Sequence, residues 1–94
     1  MKFTVEIGEN EKQVIFFSFN KFWGNIKISV NGKTIIRDIR TFSVDLVKSY
    51  EFKVGEKEIH NIRIEKIRPL LLAGLRSNEY KVYVDGEFYK IFRD

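Results

Sequence analysis

The sequence predicts an all-β antiparallel β-sandwich of about eight strands, built from two look-alike halves. Three observations carry that prediction. Two hairpins are written plainly, NIKISVNGKTII around Asn31-Gly32 and EYKVYVDGEFYKIF around Asp85-Gly86. A type I′ turn needs positive φ at both central residues, and Asn-Gly and Asp-Gly tolerate it. Apolar and polar residues alternate along most of the chain, and no stretch of ordinary helix length keeps a helical period. Turn signals recur about every ten residues, the spacing of a sandwich or barrel.

The elements follow in order. Lys2 to Ile7 alternates Phe3, Val5 and Ile7 against Lys2, Thr4 and Glu6, a half-buried strand. Gly8-Glu9-Asn10-Glu11 is a turn. Lys12 to Phe19 is a second strand, apolar on both faces at Val14, Ile15, Phe16 and Phe17, which predicts a central position or a covered outer face. Asn20 to Gly24 is a connection carrying Phe22 and Trp23. In the first hairpin Ile26, Ile28 and Val30 oppose Lys27 and Ser29, and the return strand runs from Thr34 to about Arg37. Asp38 to Thr41 reads as the crossing from one sheet to the other. Phe42, Val44 and Leu46, then Tyr50, Phe52 and Val54, make further alternating sets, the second ending at Gly55-Glu56-Lys57. Ile59 to Ile67 turns Ile62 and Ile64 inward and Arg63 and Glu65 outward. Pro69 cannot donate to a ladder, and Leu70 to Leu75 reads as a short edge strand or buried loop, with an amphipathic helical turn as the lesser alternative. The final hairpin closes the chain.

Ninety-four residues make one domain, with halves at roughly 1–47 and 48–94. A chain of this size buries about 60–65% of its unfolded surface, enough for one core without staples. Nine Phe supply large side chains for it. The absence of cysteine excludes disulfides, thiolate metal sites and Cys nucleophiles. No stretch approaches the roughly 18 apolar residues needed to span a bilayer as a helix, and no signal-peptide core opens the chain, so a cytoplasmic, soluble protein is expected, with no membrane partner. The net charge of +4 comes from 17 basic and 13 acidic residues that are interspersed. That pattern reads as a solvated sheet surface and disfavours nucleic acid, whose binders cluster Lys and Arg.

The halves can be aligned. VEIGENEKQVIFFSF from Val5 answers FKVGEKEIHNIRIEK from Phe52, and the two hairpins answer each other. Each half offers one apolar face that it cannot bury alone, so the halves are expected to stack face to face. On these residues the chain resembles the Fas apoptotic inhibitory molecule family. The matching positions are Val30, Asn31, Gly32 and Lys33, then Phe52, Val54 and Gly55, then Tyr80, Asp85 and Gly86. The chain departs from that family at Ile39-Arg40-Thr41-Phe42, where a Trp-Met-Phe stretch is usual, and it is one domain long where members usually have two. The resemblance implies an antiparallel β-sandwich and a non-enzymatic protein working through partner contacts; apoptosis regulation belongs to animal members and is not carried over.

His60 is the single histidine. A Ser-His-Asp triad would have to use it, but none of Ser18, Ser29, Ser43, Ser49 and Ser77 sits in a Gly-x-Ser-x-Gly setting. A histidine at a sheet surface is the favoured reading. One His without Cys makes a poor transition-metal set, and no glycine-rich phosphate loop is present, so neither metal nor cofactor is expected. Paired carboxylates could hydrolyse a glycoside, but sequence gives no separation, and acidic residues on a small sandwich serve as partners of Lys and Arg. Phe22 and Trp23 are the most suggestive aromatics, with Trp23 as a plug for one end of the sandwich the competing reading. Tyr83 has the outward parity, as do Lys27, Arg63 and Lys81. If their strands are neighbours, these residues form a basic patch with an aromatic centre. The expectation is a non-catalytic module that binds a protein partner or self-associates. The alternatives are a carbohydrate-binding module using Trp23 and Tyr83, and a small hydrolase using paired carboxylates.

Overall fold

The computed structural model describes residues 1–20, 25–39, 47–67 and 78–93. It is all-β, the class the alternation predicts. Eight strands, β1 (Lys2–Ile7), β2 (Gln13–Asn20), β3 (Asn25–Val30), β4 (Lys33–Ile39), β5 (Val47–Val54), β6 (His60–Ile67), β7 (Glu79–Val84) and β8 (Glu87–Arg93), form two four-stranded antiparallel sheets. Each sheet keeps its strands in chain order, β1-β2-β3-β4 and β5-β6-β7-β8. The contacts group into two compact units, Met1–Ser43 with Gly55–Glu58, and Val44–Val54 with Ile59–Asp94. Among the described residues no helix is long and apolar enough to cross a membrane.

In the first sheet, alternate residues of β1, β2 and β3 are buried: Phe3, Val5 and Ile7, then Gln13, Ile15, Phe17 and Phe19, then Ile26 and Ile28. Phe3 stands opposite Phe17 and their rings stack 4.8 Å apart. The doubly apolar β2 is an inner strand of its sheet, as its composition predicts, and its outer residues are not fully covered: Val14 is exposed and Phe16 half-buried. β4 runs through Ile39, so Asp38 belongs to the ladder opposite Ile26 and is not a crossing between sheets. The alternation of the second sheet buries Tyr50 and Val54, Ile62 and Ile64, and Tyr80 and Val82. Lys66 is buried on the same face at 3% exposure, in register with Tyr80. The expected strand around Phe42, Val44 and Leu46 and the run Leu70 to Leu75 lie outside the described residues.

Both hairpins turn as the dipeptides predict. Asn31 and Gly32 have φ of 51° and 84°, Asp85 and Gly86 of 52° and 83°. All four values are positive, as a type I′ turn requires. Each returning strand then carries a bulge at its third residue. Ile36 faces Ile28 and Thr34 faces Ser29, which leaves Ile35 unpaired. Lys90 faces Val82 and Phe88 faces Tyr83, which leaves Tyr89 unpaired. The extra residue shifts the side-chain parity of β4 and β8 halfway along each strand.

Each turn is tied to the neighbouring strand by its Asx residue. The Asn31 side-chain oxygen accepts from the Val14 N–H at 2.8 Å, and the Asn31 amide donates to Gln13 Oε1 at 2.6 Å. Asp85 Oδ1 likewise accepts from the Asn61 N–H at 2.8 Å, and Asp85 Oδ2 lies 2.6 Å from His60 Nδ1. The Gly-Glu turns are matched more closely still. The Glu58 carboxylate accepts from the backbone N–H groups of Glu9, Asn10 and Glu11 at 2.8, 2.7 and 3.2 Å. Glu11 Oε1 accepts from those of Glu56, Lys57 and Glu58 at 2.7, 3.2 and 3.3 Å. Each carboxylate therefore sits in the other's turn, in a nest of backbone donors. Gly8 and Gly55 open these turns at φ of 108° and 96°.

Candidate functional site

The outward face of the second sheet gathers three of the six residues that the sequence singles out. Cross-strand register places Glu51, Arg63, Tyr83 and Phe88 side by side on β5, β6, β7 and β8. The next row on that face is Ser49, Glu65, Lys81 and Ile91. Outward parity on adjacent antiparallel strands brings such residues together, so Arg63, Lys81 and Tyr83 do share a surface. Lys27 is exposed on β3, in the other sheet, and no strand adjacency joins it to them. Phe22 and Trp23 lie outside the described residues.

The centre of the face is a stacked cation. The Arg63 guanidinium carbon lies 4.2 Å from the centroid of the Tyr83 ring. Phe88 meets the same ring edge-on, 5.8 Å between centroids and 75° between planes. Both geometries are favourable for a π-face with a negative centre and positive rim. Arg63 Nε lies 3.4 Å from Glu65 Oε2, within ion-pair reach, yet its buried N–H has no hydrogen-bond partner among the described residues. The distance is short enough for attraction but the alignment fails, and a misaligned contact of this length is weak. Beside the ring, β5–β7 and the Asp85-Gly86 turn enclose a depression of about 500 Å³, whose wall includes Glu51, Lys53, Asn61, Arg63, Tyr83 and Gly86.

Beyond the depression the hairpin offers apolar surface. Phe88 is 56% exposed and Tyr89 51%. The two-residue turn sets Phe88 opposite outward Tyr83, whereas the bulge at Tyr89 is not written in the alternation. Strict alternation would put Phe88 and Lys90 on one face, whereas Phe88 pairs with outward Tyr83 and Lys90 with inward Val82. The signal available was compositional, two adjacent aromatics directly after a turn.

Among the described residues, the geometry around His60 is that of a turn brace, and Ser43 and Ser77 lie outside the described residues. His60 Nδ1 holds Asp85, and Ser49 stands opposite Glu65, several rungs along β5 from the Val54–His60 pair. Asp85 is held below the ordinary carboxylate range, first by the His60 hydrogen bond and then by that of the Asn61 N–H. This pair secures a turn. The depression carries one carboxylate, Glu51, where glycoside hydrolysis needs two facing each other. Among the described residues no group of three or more His, Asp or Glu is arranged to hold a metal ion. Comparison of the chain with protein-family models, with curated proteins and with solved structures finds no match.

Proposed function

We propose that this protein is a non-catalytic interaction module that binds a protein partner through the outward face of the second sheet, centred on Tyr83, Phe88 and Tyr89. The observation that carries the reading is the exposure of two adjacent aromatics, Phe88 and Tyr89, beside an arginine already stacked on a third. Aromatic and Arg side chains are the groups that dominate binding energy at protein interfaces. The same residues serve a carbohydrate less well, since the guanidinium of Arg63 covers one face of Tyr83 that a sugar would stack on. The resemblance to the Fas apoptotic inhibitory molecule family points the same way, to a β-sandwich of repeated halves acting by contact.

The test compares the native chain with a Phe88→Ser/Tyr89→Ser variant as immobilised baits. The variant's melting temperature is checked first. Proteins, including free copies of the chain itself, retained by the native bait and lost from an equally stable variant are the expected result. Identical retention by both baits overturns the reading.

A further inference from the structure

The partner's chemistry can be taken one step further, an inference that rests on the interaction-face reading. We propose that Arg63 is the receptor for a carboxylate, and that the segment docking on this face is an acidic peptide that presents an Asp or Glu side chain to the depression between β5 and β7. Four observations meet there.

Arg63 is oriented but unspent. The Tyr83 ring, 4.2 Å away, fixes the plane of the guanidinium, so little side-chain freedom remains to be lost on binding. Its Nε–H is buried and makes no hydrogen bond among the described residues. A planar fork of donors is matched by a carboxylate, two oxygens to two N–H groups.

The carboxylates around it leave its Nε–H without a hydrogen bond. Glu65 reaches Nε at 3.4 Å but out of line, and Glu51, directly opposite on β5, makes no ion pair with Arg63. Lys53, in the same wall, adds a second positive charge. Asn61 stands directly opposite Lys53 and lines the same wall.

The charge balance also selects the kind of anion. The wall sets Lys53 and Arg63 against Glu51, an excess of one positive charge, and Glu65 beside Arg63 offsets part of it, so a doubly charged phosphate would meet two carboxylates. A singly charged carboxylate is the better match. Exposed Phe88 packs edge-on against Tyr83, which lines the depression, and exposed Tyr89 follows it in β8, so the apolar neighbours of an acidic residue have rings to rest on. An acidic side chain between apolar ones is therefore the complement of this face.

The probes are two blocked tripeptides, acetyl-Phe-Glu-Phe-amide and acetyl-Phe-Gln-Phe-amide, titrated into the isotope-labelled native chain. The Arg63 Nε–Hε resonance and the backbone signals of β5–β8 are followed. The glutamate peptide is expected to shift Arg63 and Asn61 and to bind about tenfold or more tightly than the glutamine peptide, the size of a charge-assisted hydrogen bond. Arg63→Gln is expected to erase that difference. Glu51→Gln, which leaves Arg63 in place and removes an opposing charge, is expected to strengthen the glutamate peptide severalfold. Equal affinity of the two peptides overturns the carboxylate assignment and leaves the interaction face standing. No shift with either peptide up to about 10 mM also overturns it, being weaker than any useful anchor, and the bait experiment then judges the face separately. Stronger shifts with inorganic phosphate than with the glutamate peptide overturn it in favour of a phosphate-bearing ligand.

Discussion

At Gly8 and at Gly32 the backbone has positive φ, but only one of the two is also crowded. A Cβ at Gly32 or Gly86 would meet nothing within 4 Å, whereas one at Gly8 would run into the carbonyl oxygen of Glu11 and one at Gly55 into that of Glu58. Gly32→Ala should therefore cost only the left-handed backbone penalty, about 1–2 kcal/mol. Gly8→Ala adds a backbone collision and should cost about 3 kcal/mol or more, the range of strained positions in which the chain must shift. Urea midpoints of the two variants check the order, and equal values would mean that the Gly8 turn relaxes freely. Asp85 gives a second test. Its pKa is depressed in the folded chain by the His60 and Asn61 hydrogen bonds. A depressed carboxylate stabilises the fold above its unfolded value, and the contribution fades as pH falls through the folded one. Asp85→Asn, which puts the residue of the first hairpin into the second, should flatten the loss of melting temperature below about pH 4. A variant that loses stability on acidification as steeply as the native chain would rule this contribution out.

Strands and turns were legible wherever local rules govern them. Alternation gives β1, β6 and β7 their buried faces, and Asn-Gly and Asp-Gly give both hairpins their positive φ. Parity alone puts Lys66 with Ile62 and Ile64, yet nothing in a lysine announces burial, and it reads as surface until the register is seen. The bulges defeat parity altogether, since one unpaired residue reverses the faces of everything after it. That is why Arg63, Lys81 and Tyr83 are legible in the alternation, while Tyr89 and the residues after it in β8 are not. The exposed pair has a stability consequence opposite to a core pair. Phe88→Ser/Tyr89→Ser removes large side chains from the edge strand β8, and the change in unfolding free energy should stay within about 1 kcal/mol. Chemical denaturation measures it, and a larger loss would place these rings in the packing of the fold.

Across the whole chain, the two sheets repeat one plan. Gly8, Glu11, Gln13 and Asn31 do in the first what Gly55, Glu58, His60 and Asp85 do in the second: open a turn, fill the other turn, and brace a hairpin tip. The twin Gly-Glu-x-Glu words were on the page of the sequence, but no local rule says that each glutamate serves the other's amides, because that pairing joins residues far apart in the chain. The pairing also bears on time. Hairpins close within microseconds, while the Glu11 and Glu58 bonds can form only when residues 47 positions apart have met. They are therefore expected to form last and to open first. Glu58→Ala should accordingly speed unfolding about fivefold for each ~1 kcal/mol it removes and leave the refolding rate alone, which stopped-flow chevrons resolve. Slower refolding of the variant would mean instead that the two distant turns find one another before the barrier is crossed.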